Sequence, residues 1–425
     1  MTFTKAQDVI NYLYSLPKLH DKADLSYIKR VLAFLGNPQD QIKTIHVTGT
    51  NGKGSTSYYL SSLLQKAGQK TGLFVSPYVF EFNERIQLNG QNISDNKLVE
   101  VANTVEAALT AIRQIDSQFS LVTFEYEVVM AFIYFSLEKC DYAVIEVGIG
   151  GEHDKTNVIT PEISVITTVG LDHEKIIGPT IEDIAREKSG VIKKNRPVIL
   201  GNIPQKVLPI IEQKAKSEHA TVKLLGRDFT VSDEKQLLYK DHSQKISFLP
   251  KPLVEGYDIG VAVQAFSLLD LTLSASDIQD AINHTVVPGR YQVLQNNPLI
   301  ILDGAHNIQA VHNLLDFAHH EQEKRHGQIR ILIMMMKDKD IAQVFDLFKP
   351  TDQVYLTTIN YPRAAKQDDF PAWVQERYPY FSDWQTSYLN LKQASQTNDI
   401  LLVTGSFYLV GEVLQREKHN ARSRN

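Results

Sequence analysis

A glycine-rich stretch near the N-terminus carries the residue types that bind phosphate. Residues 49–55 read GTNGKGS and lie between the apolar run TIHV and a segment whose apolar residues recur at helical spacing. Such a turn between a buried strand and a helix exposes backbone N–H groups, and the start of the helix adds partial positive charge. Lys53 adds a mobile cation, and Ser55 adds a hydroxyl able to reach phosphate or Mg²⁺. A turn that only packs the helix is the alternative, but the whole arrangement favours a nucleotide phosphate site.

Polar side chains also follow other predicted strands. Ser76 follows the run KTGLFV, Glu146 ends the run DYAVIE, and His173 lies in the turn after ISVITTVG. The carboxyl ends of parallel strands are where ligands bind in open α/β sheets, so these three residues are candidate ligand contacts. The alternatives are a buried ion pair for Glu146 and a helix cap for His173.

The elements that would position these residues form two α/β patterns. Buried strands alternate with helices through the first half, which predicts a mostly parallel sheet with helices on both faces. Residues 220–250 alternate with polar turns instead, which predicts a small antiparallel addition. A second α/β pattern starts afresh after Val287. We therefore predict two α/β domains, the larger over residues 1–287 and the smaller over residues 288–425.

Length, charge and cysteine content narrow the class of protein. A chain of 425 residues is too long to fold around one hydrophobic core, so two domains are expected. The net charge of −5 argues against a nucleic-acid or membrane-surface role, because phosphate backbones need a basic face. The N-terminus has neither a long apolar run nor a basic leader, so we expect a cytoplasmic protein. Cys140 is the single cysteine, which excludes an internal disulfide, and we expect it to be a small buried residue.

The loop GTNGKGS departs from the common P-loop pattern, because Val47 stands where the first glycine belongs and Gly54 stands where Ser or Thr belongs. This spelling resembles the loop of the ATP-dependent amide ligases of the Mur ligase and folylpolyglutamate synthase superfamily. With Gly54 at this position, the loop resembles that of the folate branch rather than that of the cell-wall branch. Seven further segments resemble motifs of that family in the same order: SPYVFEFNERI, VIEVGIGGEHDKTNVI, GLDHEKIIGPTIEDIAREKSGVIK, PGRYQV, ILDGAHN, KDKD and VTGSFYL.

The resemblance implies a Mur-ligase-like fold, with a P-loop ATPase domain over residues 1–287 and a Rossmann-like α/β domain over residues 288–425. It also implies an ATP-dependent acid–amino-acid ligase. Such an enzyme adds L-glutamate to the γ-carboxylate of a reduced folate through an acyl phosphate, because a carboxylate must be activated before an amine can displace an oxygen from it in water. The implied partners are therefore small molecules, namely reduced folate, L-glutamate and ATP, and we expect a monomer. These motifs leave open whether dihydropteroate is also a substrate.

The resemblance also assigns roles to residues of the first domain. It implies that ATP contacts the whole loop, listed as Gly49, Thr50, Asn51, Gly52, Lys53, Gly54 and Ser55. It implies that Ser76, Glu146 and His173 bind Mg²⁺, with two ions in all. Lys188 is implied to be carbamylated by CO₂, which would turn a cation into an anionic metal ligand. The sequence alone favours a surface lysine on an amphipathic helix at that position.

Further contacts are implied in and around the second domain. Arg290 and Asp303 would contact the nucleotide, and Asp303 and His306 would lie near the incoming amino acid. The remaining implied substrate contacts are Ser406 and Tyr408 for glutamate, and Tyr78 and Arg85 for folate. The resulting catalytic candidates are Lys53, Glu146, His173, Lys188, Asp303 and His306.

One segment departs from the family pattern. Where the family has a Gly-x-x-x-Gln-x-x-Asn-Ala type segment that contacts ATP, residues 253–265 contain no asparagine. Loss of one nucleotide contact costs about one to a few kcal/mol. This keeps open a divergent paralogue that binds nucleotide or folate with weak or altered ligase activity. A cell-wall ligase is disfavoured by Gly54, and an ordinary kinase or GTPase by the second α/β domain.

Overall fold

The alternation of buried strands and helices produces two compact units. Residues 1–77 and 82–285 form the first unit, and residues 78–81 and 286–425 form the second. The computed structural model describes residues 2–17, 24–233 and 235–422.

The first unit is built on an eight-stranded sheet. Its strands are β1 (Lys43–Thr48), β2 (Thr71–Phe74), β3 (Ile86–Leu88), β4 (Gln91–Asn92), β5 (Tyr142–Glu146), β6 (Ile163–Thr168), β7 (Val198–Asn202) and β8 (Val222–Leu224). Their spatial order is β4-β3-β2-β5-β1-β6-β7-β8. All neighbours pair in parallel except β3 and β4, which form an antiparallel edge. The central strands are buried on both faces, as expected of a parallel sheet covered by helices.

The helices of the first unit follow the apolar spacing of the sequence. They are α1 (Ala6–Ser15), α2 (Ser26–Phe34), α3 (Lys53–Lys66), α4 (Asp95–Arg113), α5 (Thr123–Leu137), α6 (Glu174–Ile177), α7 (Ile181–Ser189), α8 (Leu208–Ser217), α9 (Leu253–Phe266) and α10 (Ala275–His284). Helix α7 begins directly after Thr180, because Thr180 and Asp183 form a reciprocal capping box there.

A three-stranded antiparallel sheet lies against α9. Its strands are β9 (Thr230–Asp233), β10 (Leu237–Lys240) and β11 (Lys245–Phe248), in the order β11-β10-β9. Gly256 and Gly260 allow this close approach, because a Cβ on either glycine would collide with the side chains of Leu237 or Val231. The small antiparallel addition predicted for residues 220–250 is therefore confirmed.

The second unit has a six-stranded mixed sheet with helices on both faces. The strands are β12 (Gln292–Asn296), β13 (Leu299–Leu302), β14 (Ile329–Ile333), β15 (Gln353–Thr357), β16 (Tyr380–Phe381) and β17 (Ile400–Thr404). The helices are α11 (Ile308–Arg325), α12 (Ile341–Phe345), α13 (Ala372–Arg377), α14 (Trp384–Ala394) and α15 (Phe407–Arg422). The order is β12-β13-β17-β14-β15-β16, and only the β12–β13 pair is antiparallel.

Alternate residues of β13 enter two separate hydrophobic clusters. Ile301 packs in one cluster, whereas Ile300 and Leu302 pack in the other, on the opposite face of the sheet. This alternation is the period-two pattern of a strand buried on both sides. The predicted two-domain α/β fold is confirmed.

Two observations bear on the class of protein. Cys140 is buried, as expected, and burial raises the pKa of its thiol to about 12. Within the part of the chain that the structure describes, every helix is too short or too polar to cross a membrane.

A short segment, residues 78–81, packs on α15 through a glycine. A Cβ on Gly411 would overlap the carbonyl oxygen of Val79, and Val79 itself belongs to the core cluster that contains Leu409 and Val410. We therefore expect Gly411→Ala to lower the free energy of unfolding by about 1–3 kcal/mol, because the added methyl has no space. Urea denaturation measures this change. The exposed Gln415→Ala on the same helix is the matched control, and equal stability of the two variants would contradict the packing.

Candidate active site

The turn between β1 and α3 is held in place by the end of β6. The Asn51 N–H donates to Thr168 Oγ1 (2.9 Å), and Thr167 Oγ1 donates to the carbonyl oxygen of Asn51 (2.5 Å). Gly52, the residue before α3, has a φ of +84°, a left-handed conformation that favours glycine. The backbone of GTNGKGS is thereby fixed at the start of a helix, where N–H groups and the helix dipole favour an anion.

The side chain of Lys53 folds back over this loop. Its Nζ donates to the carbonyl oxygens of Gly49 (2.8 Å) and Thr50 (3.3 Å). Ser55 is buried in the first turn of α3. The ammonium of Lys53 and the hydroxyl of Ser55 therefore both lie at the loop.

Glu146 lies beside the loop, at the end of β5, and is only 4% exposed. Its Oε2 accepts a hydrogen bond from the Ser76 N–H (3.0 Å), just beyond the end of β2. A Cβ on Gly54 would lie 3.8 Å from each carboxylate oxygen, so the carboxylate faces the loop. Three features predicted separately, Ser76, Glu146 and the glycine-rich loop, are therefore adjacent.

Lys188 is buried rather than exposed. It shares the inward face of α7 with Ile184 and Ala185, and it is 4% exposed, which excludes the surface lysine that the sequence alone favoured. Burial, and to a smaller extent the positive charge of Lys53, lower the pKa of its amine to about 7. The carboxylates of Asp172, Glu187 and Asp154 act in the opposite direction. A large fraction of the Lys188 amine is therefore neutral at neutral pH.

His173 caps the start of the short helix α6 in a left-handed conformation, with a φ of +54°. Its ring Nε2 lies 3.7 Å from Asp172 Oδ2, and its backbone N–H donates to Asp172 Oδ1 (2.9 Å). Asp172 therefore interacts with both His173 and Lys188. Sequence reasoning missed Asp172, although its position between a predicted strand end and His173 in GLDH was a usable signal.

These side chains are chemically suited to a divalent cation. Glu146 and Asp172 offer carboxylate oxygens, the donors that Mg²⁺ prefers, and His173 offers an imidazole nitrogen. Glu146 is buried, accepts a hydrogen bond from the Ser76 N–H and faces the loop. Glu146 therefore offers an oxygen donor for a small, hard cation beside the loop, and Asp172 and His173 offer two further donors close to each other.

In the second unit, Asp303 follows β13 and organises the turn around it. It is 3% exposed, and its two oxygens accept hydrogen bonds from the N–H groups of Tyr291 (2.8 Å) and Ala305 (2.8 Å). The guanidinium of Arg290 lies 4.4 Å from the ring centre of Phe407, and His306 packs edge-on against the same ring. Phe407 thus positions two predicted residues, and sequence reasoning missed it between Ser406 and Tyr408.

Ser406 and Tyr408 lie at the start of α15. The Tyr408 N–H donates to Ser406 Oγ (3.1 Å), and the Tyr408 ring stacks on Tyr361 with ring centres 4.3 Å apart. Burial raises the pKa of the Tyr408 phenol, and a hydrogen bond between the two hydroxyls raises it further. Tyr78 also belongs to the second unit and interacts electrostatically with Tyr408. The sequence contains no pattern that predicts Tyr361 as the stacking partner, apart from its being aromatic.

Arg85 belongs to the first unit and is mostly buried, at 13% side-chain exposure. Its guanidinium lies 3.4 Å from a Glu127 oxygen and over the ring of Phe82. Burial raises the pKa of Glu127, whereas Arg85 lowers it. Much of the charge of Arg85 is therefore directed at Glu127 in this arrangement.

Comparison with known proteins identifies the family. Residues 47–265 match the Mur ligase middle domain, and residues 289–407 match the Mur ligase glutamate ligase domain. A folylpolyglutamate synthase from Lacticaseibacillus casei is 34% identical over 96% of this chain and 97% of its own length.

Solved structures with 27% identity agree with this match. The Escherichia coli protein FolC, in complex with DHPP and ADP, has a TM-score of 0.88 and covers 98% of this chain and 99% of its own. A bifunctional folylpolyglutamate synthase/dihydrofolate synthase from Yersinia pestis, complexed with AMPPNP and a Mn ion, has a TM-score of 0.87 with 98% coverage of each chain. The resemblance inferred from the short motifs is therefore confirmed, and the chain belongs to the Mur ligase family, in its folylpolyglutamate synthase and dihydrofolate synthase branch.

Proposed function

We propose that this protein is an ATP-dependent ligase that joins the γ-carboxylate of a reduced folate to the amino group of L-glutamate. The observation that carries the proposal is the adjacency of the GTNGKGS loop, Lys53 and the buried carboxylate of Glu146 at one end of the parallel sheet. The names of the relatives support the same activity and give no support to a non-ligating paralogue.

The chemistry requires the carboxylate to be activated before the amine attacks. One carboxylate oxygen takes the γ-phosphoryl group of ATP and ADP is released. The glutamate nitrogen then attacks the carbonyl carbon of the acyl phosphate, forms the amide bond, loses a proton and displaces inorganic phosphate. The protein contributes by positioning the reactants and by neutralising phosphoryl charge. In the proposal, the backbone N–H groups of the loop and the ammonium of Lys53 supply that neutralisation.

Glu146 and His173, with Asp172 beside His173, are proposed to hold a divalent cation next to the loop, and Ser76 is proposed to complete this site. A cation bound there would offset the negative charge of the phosphates. Glu146 already has its carboxylate directed at the loop, so binding needs no large rearrangement of this side chain.

Lys188 is proposed to carry a carbamate that holds a second Mg²⁺. Its neutral amine adds to the carbon of CO₂, forming an N–C bond and releasing one proton, so that an anionic carboxylate replaces a cation. The lowered pKa supplies the neutral amine that this step needs. The nearby charge of Lys53, which disfavours an ammonium at Lys188, would stabilise a carbamate there.

The second unit is proposed to bind glutamate. Asp303 shapes the turn before α11, and His306 follows it, where backbone N–H groups and an imidazole could hold a carboxylate. Ser406 and Tyr408 lie at a second turn between a strand and a helix, and this turn is proposed to hold a carboxylate in the same way. Arg290, positioned by Phe407, is proposed to contact the ATP phosphates.

Three finer points belong to the same proposal. We propose that the enzyme acts as a monomer in the cytoplasm, and that Tyr78 and Arg85 contribute to folate binding. We also propose that dihydropteroate is a second acceptor, on the basis of relatives named for both reactions.

The proposal is tested by incubating the protein with Mg-ATP, L-glutamate and tetrahydrofolate, with dihydropteroate in a parallel reaction. Mass spectrometry of the products and an ADP assay are the readouts. We expect folate to gain whole glutamyl units with one ADP per unit. A protein that binds ATP but leaves both acceptors unchanged would contradict the ligase function.

A further inference from the structure

Helix α9 places a carboxylate directly behind the phosphate loop. A Cβ on Gly52 would lie 2.7 Å from Asp258 Cγ and 2.8 Å from Asp258 Oδ2, so the carboxylate is in contact with this glycine. Gly52 is the residue that precedes α3, where the loop turns into the helix. A larger residue than glycine at position 52 would displace Asp258. The segment that lacks the expected asparagine therefore contributes a negative charge to the loop.

The position of Asp258 is fixed by the packing of α9 on both sides. On one side, Glu255 accepts a hydrogen bond from the Tyr59 hydroxyl of α3, and Lys251 lies 3.1 Å from that hydroxyl. On the other side, Gly256 and Gly260 hold α9 against β9 and β10. The backbone of α9 at Asp258, one turn beyond Glu255, therefore cannot move away from the loop without breaking a buried hydrogen bond.

The start of α3 is the most favourable place in this region for a negative charge. The N–H groups at the start of a helix and the helix dipole attract an anion, and a carboxylate and a phosphate group compete for that attraction. Like charges within a few ångströms repel strongly where one of them is partly shielded from water. An anion arriving at the loop therefore meets a fixed charge of its own sign.

We propose that Asp258 sets the nucleotide affinity of the GTNGKGS loop and makes that affinity depend on a divalent cation. Its carboxylate opposes the nucleotide phosphates until a cation neutralises part of their charge. The inference rests on the proposed function only in requiring that the loop binds a nucleotide. Asp258 therefore weakens nucleotide binding, whereas Lys53 strengthens it.

The test is calorimetric titration of the full-length protein with ADP, in the presence of Mg²⁺ and in its absence with a chelator. Asp258→Asn keeps the shape of the side chain and removes its charge. Asp258→Ser removes the charge without supplying an amide, which separates charge from a new hydrogen bond. Asp277→Asn is the matched control, because Asp277 lies on α10, is exposed and pairs with Lys66.

We expect both Asp258 variants to bind Mg-ADP about threefold to tenfold more tightly, with a larger gain for metal-free ADP and a smaller gain at high salt. The Asp277→Asn variant should bind like the unmodified protein. Unchanged or weaker binding by both Asp258 variants, or a gain confined to Asp258→Asn, would overturn the inference while leaving the proposed function intact. Failure of every form to bind ADP would overturn both.

Discussion

Glu146→Gln is expected to lower kcat by about a hundredfold to a thousandfold, the size of effect seen when a group that stabilises developing charge is removed. Glutamine preserves the size of the side chain and can still accept the hydrogen bond from the Ser76 N–H. It removes the negative charge that faces the loop beside Gly54. The substitution should therefore lower kcat and raise the Mg²⁺ concentration needed for half-maximal rate, and the fold should be retained.

Steady-state kinetics across a Mg²⁺ series measures both effects, and thermal unfolding checks the fold. Glu162→Gln is the matched control, because Glu162 directly precedes β6, a strand of the same sheet, and pairs with Arg196. Its kcat should stay within about twofold of the unmodified protein, as for most surface substitutions. Normal kcat and normal Mg²⁺ dependence in Glu146→Gln would show that this carboxylate takes no part in metal or phosphate binding.

Lys188→Ala is expected to lower kcat by about a hundredfold or more, with partial recovery when a short carboxylate such as acetate is added. The substitution removes the anionic group that the carbamate would supply, and it leaves a cavity beside Lys53 that a small carboxylate can enter. Recovery by acetate is the diagnostic readout, because a purely structural role for Lys188 predicts none. Lys193→Ala, at another partly buried lysine, is the control and should show no recovery.

The pH dependence of the modification follows from the same amine. Only the neutral form of Lys188 adds CO₂, and its pKa lies at about 7 because of burial and Lys53. Lowering the pH from 8 to 6 should therefore convert the amine to ammonium and decrease the carbamate signal measured by carbon-13 NMR with labelled bicarbonate. A signal that is absent at pH 8, or that persists in Lys188→Ala, would contradict the assignment.

The sequence predicted the parts of the site that depend on local spacing. A glycine-rich turn between a buried strand and an amphipathic helix has few alternative structures, so the positions of Lys53 and Ser55 were predictable. Glu146 was predictable in the same way, since parallel strands present their carboxyl ends at one edge of the sheet.

Features that depend on packing between distant segments were not predictable. Burial of Lys188 requires knowledge of what covers α7, although its spacing from Ile184 placed it on the apolar face. The Asp258–Gly52 contact joins residues about two hundred positions apart, so no local pattern contains it. The ion pair between Glu125, in the first turn of α5, and Lys155 likewise joins two separate segments of the chain.

The most direct test of the central claim is transfer of oxygen-18 from the acceptor carboxylate to phosphate. A reduced folate with both γ-carboxylate oxygens labelled is incubated with ATP, Mg²⁺ and L-glutamate, and the phosphate and the amide product are analysed by mass spectrometry. An acyl phosphate intermediate predicts one labelled oxygen in each phosphate and one retained in each new amide, with ADP formed in equal amount. Unlabelled phosphate, or AMP in place of ADP, would contradict the account.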